Sequence, residues 1–170
     1  IDGVEAATQP VVYDPGNIRF GSGGEDSLTD GVTGRISGEG EGHSWMNGTW
    51  SGIEGTDLTI TVDLKNLKNI RSLSMGFLDE WPSGIRYPEY VKFSTSVNGR
   101  DFTEYATLPL NENCIDTPAR MKTVTTAESP MEARYIRVFI KNGGSMPLNS
   151  PAGGNPSWFF FDELTIDAEN

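Results

Sequence analysis

The chain has 170 residues, of which 36% are hydrophobic and 22% charged, a composition typical of one globular domain. A domain of this size can fold without a disulfide or a metal, and the single cysteine, Cys114, excludes an internal disulfide. The formal net charge of −11, without any run of Lys and Arg, argues against nucleic acid and anionic membranes as partners. A neutral sugar or a bound cation fits this charge better.

No segment of the sequence is apolar over the roughly 18 residues that a membrane-spanning helix needs, so we expect no membrane insertion. No signal peptide is recognisable either. The chain begins with Ile1-Asp2-Gly3 rather than with Met. We therefore expect it to be a processed or trimmed piece of a longer protein.

Strand patterns recur along the chain, whereas helical periodicity is almost absent. The predicted strands, in chain order, are residues 11–13, 58–64, 70–78, 90–96, 102–108, 121–127, 133–140 and 158–166. Asn98-Gly99 is a strong hairpin signal and predicts antiparallel pairing of the strands on either side of it. About eight strands without intervening helices predict an all-β, antiparallel β-sandwich.

Two stretches, residues 21–55 and 143–157, are too polar and Gly-rich to be predicted as strands. Long ordered loops in a compact domain are usually functional, so both are candidate ligand loops. We divide the chain into a lead-in with a possible first strand, residues 1–24, and one β-sandwich domain, residues 25–170.

An ordered set of short motifs spans most of the chain. In sequence order they are LTDG (28–31), WSG (50–52), VDL (62–64), GFL (76–78), P-x-x-V-x-F (88–93), S-x-x-G-x-x-F (96–102), ARYIRV (133–138) and W-x-F-x-DE (158–163). This order resembles the discoidin, or coagulation factor type C, superfamily of galactose-binding-like domains, which includes the family 32 carbohydrate-binding modules. Within it, the chain looks most like C-terminal domains of bacterial β-N-acetylhexosaminidases.

The resemblance covers roughly residues 25–167 and implies an eight-stranded jelly roll with its ligand loops at one end. It implies a non-catalytic accessory domain of a bacterial glycoside hydrolase or lipoprotein that is secreted, periplasmic or on the cell surface. The expected ligand is a galactose- or N-acetylhexosamine-type glycan. We expect a monomer, or a unit tethered to a larger chain.

The resemblance also implies a structural Ca²⁺, held by the carboxylates of Asp30 and Glu163. Further oxygen ligands are expected from Ser27, Val32, Thr33 and Asp162. Such a set suits Ca²⁺, which binds six to eight hard oxygens. In the alternative interpretation, Asp30 caps a turn through its own backbone and Glu163 is a solvated strand residue.

Sugar binding needs an aromatic face for the apolar side of the pyranose and polar groups that bind its hydroxyls. The first candidate loop offers His43, Trp45 and Asn47 between glycines, and the resemblance places a sugar-binding His here. His43 is the only histidine of the chain. Alternatively, Trp45 folds back as a lid on the sandwich and His43 is merely exposed.

The second candidate loop, residues 79–88, offers Trp81 and Arg86. Trp81 follows two acids and precedes a proline, so we expect it to be exposed. The resemblance implies an Arg in this loop that bridges adjacent hydroxyls with its fork of donors, and Arg86 is the nearest match. Alternatively, Arg86 forms a surface ion pair with Glu80 or Glu89.

The third candidate region leads into the last strand. Asn155 offers an amide to a ligand, and Trp158 follows shortly after it. Trp158 also begins an apolar run, so a role at the start of the core strand competes with a ligand contact. Trp50 matches a family position under the loops, and we assign it to structure.

We expect no catalytic activity from this domain. Its one His and one Cys, Cys114 in a loop, give no recognisable nucleophile pair, and the metalloprotease, P-loop and serine-hydrolase motifs are absent from the sequence. The acids of the pairs Asp79-Glu80 and Asp162-Glu163 are adjacent in sequence, and neighbours in a strand point to opposite faces, so neither pair supports a glycosidase site. The alternative to a sugar-binding module is a structural domain that packs on a catalytic partner and binds no ligand itself.

Overall fold

The computed structural model describes residues 11–110, 112 and 118–169, so Cys114 and the first ten residues of the predicted lead-in lie outside the described residues. It contains eight strands: β1 Val11–Asp14, β2 Ser51–Glu54, β3 Leu58–Asp79, β4 Tyr90–Ser96, β5 Thr103–Pro109, β6 Arg120–Thr125, β7 Met131–Lys141 and β8 Trp158–Glu169. All strand pairs are antiparallel. The predicted all-β antiparallel sandwich is confirmed.

Strand β3 joins the two layers of the sandwich. It is a single strand of 22 residues where the sequence predicts two. Its pairing register with β7 shifts between Asp63 and Lys68, and Lys65 in this irregular stretch has a φ of 68°. The first half of β3 pairs with β1 and β7, and the second half pairs mainly with β8 and β6. One layer therefore contains β1, β7, β4 and β5, and the other contains β2, β8 and β6.

The core lies between these layers and follows the period-two alternation of the strands. In the first five residues of β3, Leu58, Ile60 and Val62 are buried, and the residues between them are partly exposed. The same alternation runs through β7 and β4. Because alternate side chains point to opposite faces, the predicted strands mark both the core face and the outer face of the sheet.

The predicted hairpin at Asn98-Gly99 joins β4 to β5. The Asn98 Oδ1 atom accepts hydrogen bonds from the backbone N–H groups of Arg100 (2.8 Å) and Asp101 (2.9 Å). Gly99 has a φ of 76°, which a residue with a Cβ rarely adopts. The turn residues therefore act as their chemistry predicts.

The prediction that residues 21–55 contain no strand is wrong for one segment. Strand β2, with the sequence SGIE, pairs with the start of β8. Its polar and glycine residues hide it in the sequence, yet Gly52 is required by packing: a Cβ there would lie 2.7 Å from the ring of Phe160. Residues 143–157 form no strand, as predicted, apart from one isolated bridge between Ser145 and Pro156.

The loop after β3, the loop before β8 and the segment before β2 meet at one end of the sandwich. The backbone N–H of Arg86 donates to the carbonyl of Trp158 (3.0 Å), and the backbone N–H of Ser44 donates to Glu80 Oε1 (3.1 Å). Among the described residues, no helix is long and apolar enough to span a membrane.

Candidate functional site

A cleft opens where these loops meet, and we call it the tryptophan cleft. Its volume is about 120 Å³, and it is lined by Arg19, Trp45, Ser83, Ile85, Trp158 and Phe160. Trp45 and Trp158 are both half-buried, and both pack on Phe160, with ring centroids 6.1 and 5.5 Å from it. The Arg19 guanidinium lies 4.5 Å from the centroid of the Trp45 ring. The cleft thus offers two indole walls and one cation.

Trp158 begins β8, as predicted for a core strand, and its indole also lines the cleft. Its contact with a ligand stays a prediction. Trp45 is held over Phe160, as its predicted lid role requires, and yet it keeps part of its surface open to the cleft.

His43 borders a second hollow of about 240 Å³ beside the cleft. Its side chain is 57% exposed, and its Nδ1 atom lies 3.2 Å from the Ser83 hydroxyl. Ser83 also lines the tryptophan cleft, so this hydroxyl connects the two hollows. A third hollow, of about 200 Å³, shares Ser83 and Trp158 with the cleft and is lined on its far side by the exposed Asn155.

Glu80 is a site residue that the sequence analysis missed. Its side chain is only 8% exposed, and Oε1 accepts the hydrogen bond from the backbone of Ser44 and lies 3.5 Å from His43 Nδ1. Its other oxygen, Oε2, is buried without a hydrogen-bond partner among the described residues. A buried carboxylate oxygen without a partner is costly, and the bond that Oε1 accepts from Ser44 fixes this side chain beneath the loop that carries His43 and Trp45.

The group of Ser83, His43 and Glu80 does not form a nucleophile relay. In such a relay the acid binds one imidazole nitrogen and the serine binds the other. Here Ser83 and Glu80 both face Nδ1 of His43. This geometry therefore lacks the connection by which a relay would activate the Ser83 hydroxyl.

The expectation of an exposed Trp81 is wrong. Its side chain is buried, with 8% relative exposure, and it lines none of the hollows described above. The short 3-10 helix Trp81–Ser83, with a proline at its second residue, buries the indole and leaves Ser83 partly exposed at the cleft. The loop therefore contributes a hydroxyl where the sequence suggested an aromatic ring.

Asn47 has no free hydrogen-bonding group for a ligand, contrary to expectation. Its Nδ2 atom donates to the carbonyl of Arg35 (2.8 Å) and to Ser37 Oγ (3.2 Å). Its Oδ1 atom accepts from the backbone and hydroxyl of Thr49 (3.1 and 2.6 Å). The amide holds the loop that carries His43 and Trp45.

Arg86 also serves the loops. Its Nη1 atom donates to the carbonyl of Ser145 (3.0 Å), which joins the loop after β3 to the loop before β8. Arg86 does not line the tryptophan cleft, and among the described residues it forms no ion pair with Glu80 or Glu89. The interpretation as an ion pair with Glu80 or Glu89 is therefore wrong, and the sugar contact of Arg86 stays a prediction. Trp50 is buried as expected, and its indole N–H donates to the carbonyl of Arg35 (2.9 Å).

Asp30 and Glu163 come together on the other side of the loop segment. Glu163 is buried, so the expectation of a solvated strand residue is wrong; its Oε1 accepts from the backbone of Gly31 (3.0 Å), and Oε2 has no partner. Asp30 Oδ1 accepts from the backbone of Val32 (2.8 Å), which is the predicted turn cap. Burial, together with the nearby carboxylates of Asp30 and Asp162, raises the pKa of Glu163 to about 8.

The donors here fit a hard cation. Asp162 uses both carboxylate oxygens for the backbone N–H groups of Gly34 and Gly76 (2.8 Å each), so only its carbonyl is left for a metal. The described residues contain no group of three or more His, Cys, Asp or Glu that could hold a metal ion. Two carboxylates supplemented by carbonyls suit Ca²⁺ and not Zn²⁺. A cation would also satisfy the unpartnered oxygen of Glu163.

The fold is an eight-stranded antiparallel β-sandwich with a cleft at its loop end, which is the class of fold seen in discoidin-type domains. The model of the F5/8 type C domain family matches residues 16–152, and the chain belongs to this family. The comparison with curated proteins gave no match.

Three solved structures of Clostridium perfringens modules are similar in fold. CBM32-1 of a family 31 glycoside hydrolase has a TM-score of 0.54 at 13% identity, and 95% of each chain is covered. The family 32 module of NanJ in complex with galactose has a TM-score of 0.52 at 13% identity, with 96% of each chain covered. CpGH89CBM32-5 in complex with GalNAc-β-1,3-galactose has a TM-score of 0.52 at 11% identity, covering 93% of this chain and 94% of that one. At such identities the likeness establishes the fold.

Proposed function

We propose that this domain is a non-catalytic carbohydrate-binding module that binds a galactose- or N-acetylhexosamine-type glycan in the tryptophan cleft. The observation that carries the proposal is the pair of half-buried indoles, Trp45 and Trp158, with the Ser83 hydroxyl between the cleft and His43. The similar modules bound to galactose and to GalNAc-β-1,3-galactose support this ligand class.

In this proposal the apolar C–H face of one pyranose packs against the indoles of Trp45 and Trp158. The Ser83 hydroxyl and the His43 ring bind sugar hydroxyls, and Asn155 contacts a second residue of the glycan. Glu80 holds the loop that carries His43 and Trp45 through the backbone of Ser44. The cleft is small and open on both sides, so it buries little of the ligand. Binding is therefore weak for each site, as expected for an accessory domain that works by tethering a larger chain.

The setting that fits such a module is a bacterial glycoside hydrolase or lipoprotein that is secreted, periplasmic or on the cell surface. There the domain holds its parent protein on a glycan that the catalytic part acts on. The proposal assigns no reaction to the residues of the domain itself.

We also propose that Asp30 and Glu163 hold a structural Ca²⁺, completed by carbonyl oxygens of the neighbouring loop and by the Asp162 carbonyl. The supporting observation is the buried, unpartnered Oε2 of Glu163 beside a second carboxylate. When bound, the ion supplies positive charge that ties the loop at Asp30 to strand β8. It stabilises the loop end from outside the sugar cleft.

A glycan array tests the sugar proposal. The domain is screened against neutral glycans alongside Trp45→Ala and Trp158→Ala. Tyr135→Ala is the matched control, because Tyr135 is a half-buried aromatic beside the hairpin residue Gly99, away from the cleft. We expect the parent domain and the control to bind galactose- or N-acetylhexosamine-terminated glycans. We expect both cleft variants to lose this binding. Silence of the folded parent, or unchanged binding by both cleft variants, contradicts the proposal.

A further inference from the structure

The outer face of the layer that contains β3, β7, β4 and β5 has a second groove, which we call the sheet groove. Strand register builds it, because directly paired residues of neighbouring strands point to the same face. Two adjacent rows cross the face: Thr59, Phe139 and Lys92 form the first, and Thr61, Arg137 and Ser94 form the second. Their neighbours in sequence, Ile60, Val138 and Phe93, are fully buried, so the rows face outward.

The sheet groove has a volume of about 500 Å³. Phe102 and Glu104, at the start of β5, close its side opposite Thr59. This volume is within the range of roughly 300–1,000 Å³ that small-ligand sites occupy. The sheet groove shares no residue with the tryptophan cleft.

Two cations face this groove next to aromatic rings. The Lys92 ammonium lies 6.0 Å from the centroid of Phe139, and the Arg137 guanidinium lies 3.8 Å from the centroid of Phe102. Arg137 Nε donates to the Thr61 hydroxyl (3.2 Å), which fixes the guanidinium further. Stacking and this bond hold the fork of donors in place before any ligand arrives.

Neither cation is neutralised within the part of the chain that the structure describes. Lys92 and Arg137 form no ion pair there, although six other Arg and Lys residues do: Arg35, Arg71, Arg120, Lys122, Arg134 and Lys141. The Glu104 carboxylate at the edge of the groove accepts from the Thr107 hydroxyl (2.8 Å). In a chain of net charge −11, two unpaired cations in one groove mark a place for a negative group.

We propose that the sheet groove is a second ligand site, which binds an acidic saccharide of the uronic-acid type. The carboxylate of the sugar pairs with Lys92 and Arg137, and its apolar C–H face packs on Phe139. Thr59, Ser94 and Glu104 supply hydroxyl and carboxylate oxygens for the sugar hydroxyls. The net negative charge of the chain does not prevent this contact, since charges beyond about 8 Å are largely screened at physiological salt.

The position of the groove favours a saccharide over an acidic peptide. Extended peptides bind sheets mainly by adding to a free edge, where backbone groups are unpaired. In this groove β7 is paired with β3 and β4 on its two sides, and β4 is paired with β7 and β5. Within the described residues, the face therefore has no unpaired backbone groups to offer a ligand. Its side chains provide an aromatic ring, two cations and oxygens that can bind hydroxyls.

The test is an NMR titration of the ¹⁵N-labelled 170-residue chain with trigalacturonate. Fully methyl-esterified trigalacturonate, which has the same rings without the charge, is the ligand control, and a hexaglutamate peptide tests the other occupant. We expect saturable amide shifts at Lys92, Arg137 and Phe139, none with the ester, and weaker binding at higher salt. Binding equal to that of the ester, tighter binding of hexaglutamate, or no saturable binding overturns the proposal.

Variants separate this site from the tryptophan cleft. Lys92→Gln keeps most of the aliphatic stem and is expected to weaken trigalacturonate binding about tenfold, because it removes a charged partner of the sugar carboxylate. Phe139→Leu is a second variant that keeps an apolar residue in the strand and loses the stacking surface. Trp45→Ala is expected to leave trigalacturonate binding unchanged. Loss of this binding in Trp45→Ala with full retention in Lys92→Gln contradicts the sheet groove and leaves the cleft proposal standing.

Discussion

The indole of Trp158 stacks on the ring of Phe160, with centroids 5.5 Å apart and an interplanar angle of 28°. The two residues are two positions apart in β8, so they point to the same face of the strand. Trp158 is thus fixed by the core ring beneath it, while its remaining surface lines the tryptophan cleft. A rigid indole costs little conformational entropy when a ligand packs on it, which suits a site of small contact area.

The first prediction concerns this indole. Trp158→Phe keeps an aromatic ring above Phe160 but shortens the cleft wall, and Trp158→Ala removes the wall. We expect glycan affinity to fall a few-fold in the first variant and about tenfold or more in the second, since aromatic stacking adds roughly 0.5–1.5 kcal/mol beyond burial. Titration calorimetry measures both. Equal affinity in the parent and in folded Trp158→Ala would remove this ring from the site.

The second prediction concerns Glu80. In Glu80→Gln one oxygen can still accept from the backbone of Ser44, but the unpartnered carboxylate oxygen is replaced by an amide donor. We expect glycan affinity to fall a few-fold, because a neutral amide oxygen accepts the bond from Ser44 less strongly and positions the loop of His43 and Trp45 less well. Glu41→Gln, at an exposed carboxylate of the same loop region, is the control. Calorimetry at a single pH measures both affinities. An equal loss in Glu80→Gln and Glu41→Gln would speak against this positioning role of Glu80.

The third prediction concerns calcium. A cation that binds only the native state raises the melting temperature. We expect millimolar Ca²⁺ to raise the Tm of the parent domain by several degrees over the EDTA-treated form and to leave Glu163→Gln unchanged. Differential scanning fluorimetry measures the effect, with Glu39→Gln at an exposed loop position as the control. A Tm that does not respond to Ca²⁺ in the parent would contradict the Asp30–Glu163 site.

The fourth prediction is the pH dependence of the calcium-free domain. Burial raises the pKa of Glu163 from its ordinary value of 4.5 to about 8. Between these values the folded state binds the proton more tightly than the unfolded state, so the free energy of unfolding falls as pH rises from about 4.5 to 8. Other groups titrate in this range, so the comparison is with Glu163→Gln, which lacks this contribution. Chemical denaturation in EDTA should show stability of the variant relative to the parent increasing across this range, and a constant difference would refute the assignment.

The sequence predicts most strands well, because a strand with one buried face has alternating apolar and polar residues, and this alternation is local in sequence. Leu58, Ile60 and Val62 alternate with polar residues, and the structure buries these three. Strand β2 is missed because Gly52 is needed to leave room for the ring of Phe160 in β8. This contact is distant in sequence, so the local pattern does not show it. The candidate loops are predicted from the absence of this alternation in glycine-rich segments.

The orientation of side chains within the loops is beyond local pattern. Trp81 turns inward on a 3-10 helix and Ser83 turns toward the cleft, although the sequence singles out the tryptophan. Lys92 and Arg137 lie far apart in sequence and become neighbours only through the pairing of β4 with β7. Because these two cations form no run in the sequence, the sequence analysis did not predict the cationic groove.

The measurement that tests the central claim most directly is a calorimetric titration of the domain with GalNAc-β-1,3-galactose, in parallel with Trp45→Ala and the control Tyr135→Ala. The account predicts saturable binding by the parent with a Kd on the order of 1 mM or tighter. It predicts the same affinity for Tyr135→Ala and loss of binding in Trp45→Ala. If the disaccharide and other galactose- and N-acetylhexosamine-terminated glycans give no binding to the folded parent, or if Trp45→Ala binds them as the parent does, the tryptophan cleft is not the carbohydrate site.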